Sequence, residues 1–212
     1  MAIGKMEIGA EIGKGWRLFQ ADMGVLIVGG ILATVVSAVT CGLLAGPLMV
    51  GMLLIAQRLL KNDPVKPQAG DVFKGFDSFV QALLLSVIAT VAIMVLSILP
   101  IIGQLAGLIV CAVMMWALVF IAYEKATAID AIKKVFELAK SGSFTVPLVF
   151  AVIASLIGSL GAIVCVVGIF FTLPLTYCLM ACCYATLFSG DPEVIEPIKE
   201  QAPPPPPDDL RL

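Results

Sequence analysis

Residues 78–123 read SFVQALLLSVIATVAIMVLSILPIIGQLAGLIVCAVMMWALVFIAY, a run of 46 residues without Asp, Glu, Lys or Arg. One membrane crossing needs about 20 apolar residues, so this run is too long for one helix and suits two. Pro100 and Gly103 lie near its middle, and both residue types favour a turn. The run therefore predicts a hairpin of two transmembrane helices.

Two further runs lack charged residues, one of 35 residues between Asp22 and Arg58 and one of 50 residues between Lys140 and Asp191. Each is also long enough for a hairpin of two helices. The three hairpins predict transmembrane helices at about 24–41, 45–60, 80–99, 104–123, 145–163 and 170–189. The turns are expected at 41–47, at 99–103, and at either 161–168 or 170–174.

The composition agrees with a membrane protein. The 212 residues are 60% hydrophobic and 13% charged, whereas a soluble domain is about half apolar and about a quarter charged. This balance excludes a soluble enzyme domain and a disordered chain. The net charge of −2 gives no basic surface for nucleic acid, and the absence of His removes the commonest general base and metal ligand.

The basic residues predict the orientation. All thirteen lie in the N-terminal segment, in the connections 58–79 and 124–140, or in the tail, while the hairpin turns carry no charge. Positively charged loops stay on the cytoplasmic side. We therefore expect a multi-pass protein of the cytoplasmic (inner) membrane with both termini in the cytoplasm.

An internal repeat divides the chain. Lysine recurs at 14, 74 and 134 and an aromatic residue at 16, 76 and 136, both at a spacing of 60. Each copy begins a short amphipathic stretch that precedes a hairpin. The prediction is one all-α membrane domain, 1–190, of three pseudo-repeated units at about 8–60, 70–123 and 127–189, each an interfacial helix plus a hairpin.

The amphipathic stretches supply the candidate site. Their apolar residues recur at spacings of three and four, which places them on one face of a helix that lies in the headgroup layer. Such a helix either serves as a platform that contacts lipids or partners, or only links two hairpins. The predicted membrane-interface residues are Lys14, Trp16, Phe19, Lys74, Phe76, Phe79, Lys134 and Phe136.

The sequence offers no catalytic centre. Cys178, Cys182 and Cys183 place thiols one helical turn apart, but no His, CxxC motif or carboxylate lies near them in the sequence, so packing is the favoured role. We expect no catalytic residue, no cofactor and no metal. No charged residue lies in the middle of a run, which argues against coupled transport.

The tail, 191–212, contains five consecutive prolines at 203–207. It is too polar to be buried and is predicted to be disordered in the cytoplasm. Its proline run is either a solvated spacer or a polyproline ligand for an aromatic groove.

Three segments lie in order between the hairpins: Gly15–Phe19, Asp71–Phe76 and Val135–Phe144. Their order resembles a broad group of uncharacterised prokaryotic six-helix membrane proteins that is related to the membrane domain of glycerophosphoryl diester phosphodiesterases. The resemblance covers about residues 8–190. It implies the fold and the inner-membrane location, and it supplies no catalytic residues.

The expected function is that of a non-enzymatic membrane scaffold or accessory subunit that organises lipids or a partner complex. Its partners would be membrane lipids, other membrane proteins or a second copy of the chain, and not nucleic acid. The alternative is a carrier or passive pore for a lipid or a small neutral solute. A polar-lined cavity would favour the carrier, and a solid apolar core would favour the scaffold.

Overall fold

The computed structural model describes residues 8–40, 42–98, 102–140, 145–164 and 166–189. These described residues are 89% helical, and no strand occurs among them. The predicted tail, the turn at 99–101, and Ser141 and Gly142 lie outside them. The α-helices are α1 (Ile8–Ala21), α2 (Met23–Val39), α3 (Ala45–Leu60), α4 (Phe79–Leu96), α5 (Ile102–Glu124), α6 (Ala128–Lys140), α7 (Thr145–Val164) and α8 (Val166–Tyr184). A 3₁₀ helix covers Ala69–Ser78, and a π-helical turn covers Ala185–Ser189.

Six apolar helices form where the charge-free runs predict them, but not all six have the length of a span. Three are long and apolar enough to cross a membrane, namely Ala69–Leu96, Ala106–Glu124 and Phe170–Phe188. The pair α1 and α2, bent by 89°, gives a fourth if it is counted as one span. Helix α3 has 16 residues, about 24 Å, which is less than the roughly 30 Å of a bilayer core. The structure therefore supports three to four spans, where the charge pattern predicts six.

The turn between α2 and α3 follows the prediction. Gly42 has a φ of 82°, a conformation that costs glycine little and other residues more. Pro47 lies in the first turn of α3, where a backbone N–H has no helical acceptor. In the third hairpin α7 is described to Val164 and α8 from Val166, and residue 165, in the first predicted turn range, lies outside the described residues. The second predicted range, 170–174, lies inside α8 and forms no turn.

The apolar helices form a central group of three and a peripheral group of three. Helices α3, α5 and α8 contact one another and form the centre, while α2, α4 and α7 lie around them. Only 11% of the apolar window that ends with α4 is buried, against 44% for α5 and 56% for α8. Each peripheral helix packs on its own hairpin partner and on the central helix of another hairpin: α2 on α8, α4 on α3, and α7 on α5.

The amphipathic elements follow the same cyclic order. Helix α1 packs on α8, the 3₁₀ helix packs on α3, and α6 packs on α5. Each therefore contacts the central helix of the hairpin before it in the cycle, and the first element closes the cycle on the last hairpin. The backbones approach closely at two of these contacts. A Cβ atom on Gly15 would overlap Leu179, and one on Gly51 would overlap the backbone of Val72.

The second amphipathic stretch differs from the predicted α-helix. It is a 3₁₀ helix, in which residues three apart lie directly above one another. Phe73, Phe76 and Phe79 form one such row, with ring centroids 6.0 and 5.6 Å apart. Val72 and Gly75 form a second row that is buried against α3. The spacing of three in both rows suits this tighter helix better than an α-helix.

Candidate membrane-interface site

The charged segments meet at one end of the helical bundle, which we call the charged end. Here α3, α5 and α8 finish, and α1, the 3₁₀ helix and α6 pack against them. Two side chains join neighbouring helices here. The side-chain amide oxygen of Gln81 in α4 accepts from the Ala128 N–H of α6 at 2.9 Å, and the Tyr184 hydroxyl of α8 donates to Glu124 of α5 at 3.0 Å. At the start of α6 the Asp130 N–H donates to the Thr127 hydroxyl at 3.2 Å, and this hydroxyl donates to the Asp130 carboxylate at 2.6 Å.

The first two repeated lysines form matching ion pairs. The Lys14 ammonium lies 2.7 Å from Glu11, and the Lys74 ammonium lies 2.8 Å from Asp71. In both pairs the carboxylate precedes the lysine by three residues, so the 60-residue spacing of the lysines applies to their partners too. Both lysines therefore pair with a carboxylate of their own helical element.

The third repeated lysine also forms an ion pair, but its partner lies in another helix. The residue three positions before Lys134 is Ala131, which is buried. Lys134 pairs instead with Glu124, at the end of α5, and its ammonium lies 4.9 Å from the centre of the Phe120 ring. The pair thus ties α6 to the central helix on which it packs.

The predicted aromatic residues divide into exposed and buried groups. Trp16 is 45% exposed and Phe136 is 56% exposed, whereas Phe76 and Phe79 are half-buried. The prediction for Phe19 is wrong. Its side chain is 1% exposed and belongs to the core, because Phe19 lies with Leu18 on the face of α1 that packs inward. Phe73, which is not among the predicted membrane-interface residues, is exposed beside Lys74.

Asp71 is the centre of the contact between the 3₁₀ helix and α3. Its carboxylate accepts from Arg58 at 3.1 Å, from Lys74, and from the Gln68 N–H at 3.2 Å. Burial alone would raise the pKa of Asp71, but these hydrogen bonds and the charges of Lys74 and Arg58 outweigh it and lower that pKa. Asp71 is the third residue of the 3₁₀ helix, and Gln68 is its N-cap.

Glu11 is a residue that sequence reasoning missed. It is only 3% exposed, between α1 and α8, and its second oxygen, Oε2, has no hydrogen-bond partner in the structure. It lies near enough to Cys182 and Cys183 to interact with them electrostatically. The sequence places no carboxylate near these thiols, but the fold does. Among the described residues, no three metal-ligating side chains come together.

The polar side chains of the apolar helices bond mostly to their own helix. Thr34, Ser86 and Ser155 each donate to the carbonyl oxygen four residues earlier, at 2.8–2.9 Å. Such bonds satisfy a hydroxyl inside an apolar layer without forming a polar path. These hydroxyls are therefore compatible with a packing role.

Two apolar grooves lie towards the opposite end of the bundle. The larger has a volume of about 300 Å³ and runs between α3, α4, α5 and α7. The smaller has about 170 Å³ and runs between α2, α3 and α8. Each lies between the two helices of one hairpin and the central helix of the hairpin before it in the cycle.

No protein-family model, curated protein or solved structure significantly matches this chain. The resemblance to the membrane domain of glycerophosphoryl diester phosphodiesterases thus depends on the quoted segments alone and stays a prediction.

Proposed function

We propose that this chain is a multi-pass, non-enzymatic membrane scaffold with six crossing helices and both termini in the cytoplasm. Its charged end would lie in the headgroup layer and organise lipids or a partner complex. One observation carries the proposal: α1, the 3₁₀ helix and α6 each pack on a central helix, and each exposes an aromatic side chain. An ion pair to the central helix adds to two of these contacts, Asp71 with Arg58 of α3 and Lys134 with Glu124 of α5. The exposed aromatics are Trp16, Phe73 and Phe136.

The ion pairs decide which residues would contact lipid. A lysine that already pairs with a carboxylate gains little from an anionic headgroup, because it must give up its partner first. The aromatic rings have no such competitor, and Trp in particular prefers the membrane–water interface. We therefore assign the lipid contact mainly to the rings. Lys134 helps to fix α6 on α5, while Lys14 and Lys74 neutralise carboxylates of their own elements.

The carrier remains the second candidate because the larger groove is open. Its wall is apolar, however, and its hydroxyls are bonded within their helices. A polar solute would find few groups to replace its hydration. The groove therefore favours an apolar occupant over a path for a neutral polar solute.

Tryptophan fluorescence tests the platform, since the chain has only Trp16 and Trp116. In a Trp116→Phe variant, brominated lipids should quench the remaining Trp16, most strongly with bromine near the headgroup. The matched control is Trp16→Phe, which leaves Trp116, 1% exposed and bonded to the Pro147 carbonyl oxygen, and should be quenched little. Equal, weak quenching of both variants would contradict the platform.

A further inference from the structure

The larger groove is a feature of the bundle that has no role in the proposed platform. It is lined on α4 from Leu85 to Ile93, about 12 Å along the helix axis, which is most of one bilayer leaflet of about 15 Å. Gly42, in the turn between α2 and α3, is one of its lining residues. Its length therefore runs from the uncharged end of the bundle towards mid-depth.

The chemistry of the wall restricts what can bind. The wall is almost wholly apolar, and its hydroxyls, Ser86, Thr90 and Ser155, each donate to a carbonyl oxygen of their own helix. No charged residue lines the groove. A headgroup or a hydrated solute would lose hydrogen bonds on entering, whereas a hydrocarbon chain would lose none.

The groove opens on an exposed face of α4, which carries Thr90 and Ile93 of the groove wall. If α4 crosses the bilayer, the medium against this face is lipid hydrocarbon. An acyl chain can thus enter from the side without crossing a polar layer.

We propose that this groove holds one acyl chain of a membrane phospholipid from the leaflet at the uncharged end. The inference rests on the membrane insertion in the proposed function. Because the groove joins three hairpins, the bound chain would fill the space between α4 and α7 and act as part of the bundle.

Native mass spectrometry after a delipidating detergent wash counts the retained lipids. Wild type should keep at least one phospholipid, and Ala89→Phe, which fills the groove, should lose one. Ser155→Leu, on the opposite wall, should do the same, since the serine hydroxyl bonds only within α7. The matched control, Val91→Phe, lies outside the groove and should keep the wild-type number.

An equal number of lipids in all four proteins, or a bound mass that is not a phospholipid, would overturn the inference. The unsubstituted protein gives an independent test through Cys111, which is exposed and lines the groove. Its maleimide modification, mapped by peptide mass, should slow when phospholipid is returned to delipidated protein, and an unchanged rate would reject the site. The quenching of Trp16 does not involve the groove, so failure of the platform shows separately.

Discussion

Glu11 and Lys14 show what burial does to a pair of charged residues. Glu11 is nearly inaccessible, and one of its oxygens depends on Lys14. Lys14→Met should leave the carboxylate unpaired and lower the free energy of unfolding by about 1–3 kcal/mol. The double variant Glu11→Gln, Lys14→Met should lose less, because a neutral amide costs less to bury than a carboxylate.

Thermal unfolding of the two single variants and the double variant in detergent gives the coupling energy. If the losses simply add, the ion pair does not compensate for the burial of Glu11. Lys133→Met, at an exposed lysine of α6, is the control for loss of a positive charge.

Asp71 predicts a pH dependence. Because its folded pKa is lowered, it adds stability above its unfolded pKa, ordinarily about 3.9, and that stability is lost as the pH falls through the folded pKa. Asp71→Asn should therefore destabilise the protein at neutral pH, and its difference from wild type should shrink in acid. Unfolding temperatures measured from pH 7 down to pH 3 check this, and a difference that is constant with pH would contradict it.

At the scale of the element, the 3₁₀ helix depends on small residues. A Cβ atom on Gly75 would overlap the backbone of Pro47 and Gly51, while one on Gly70 would meet nothing within 4 Å. Gly75→Ala should cost about 1–3 kcal/mol through overpacking. Gly70→Ala, in the same helix, should change stability by no more than about 0.5–1 kcal/mol.

Chemical or thermal unfolding of these two variants separates close packing from helix propensity. Equal effects at Gly75 and Gly70 would mean that the contact with α3 does not hold the 3₁₀ helix in place.

Much of each element could be predicted from the sequence, because charge and hydropathy act locally. The positions of α2 to α5 and the turn at Gly42 follow from the absence of charge and from glycine chemistry. The burial of Glu11 and Phe19 could not be predicted in this way, because it depends on α8, about 160 residues further along the chain. The 3₁₀ form of 69–78 agrees with the spacing of three in its sequence, but its close contact with α3 could not be predicted locally.

At the scale of the whole molecule, the open question is how many helices cross. Leu43 and Asn62 are exposed at the two ends of α3, the shortest of the hairpin helices. If the first hairpin crosses fully, Leu43→Cys should react with an impermeant maleimide added to intact cells. Asn62→Cys should react only after the membrane is permeabilised.

The unsubstituted chain, with its own cysteines, is the control for background labelling. Protection of Leu43→Cys in intact cells would make the first hairpin re-entrant and reduce the number of spans from six to four.

The closing of the packing cycle by α1 on α8 has a consequence for biosynthesis. Gly15 leaves the ribosome 164 residues before Leu179, the residue it packs against, a delay of roughly 10–30 s at ordinary rates of translation. Until then the face of α1 that carries Glu11 lacks its main packing partner. In a chain that inserts as proposed, α1 therefore stays at the membrane surface, and Glu11 is buried only when the last hairpin inserts.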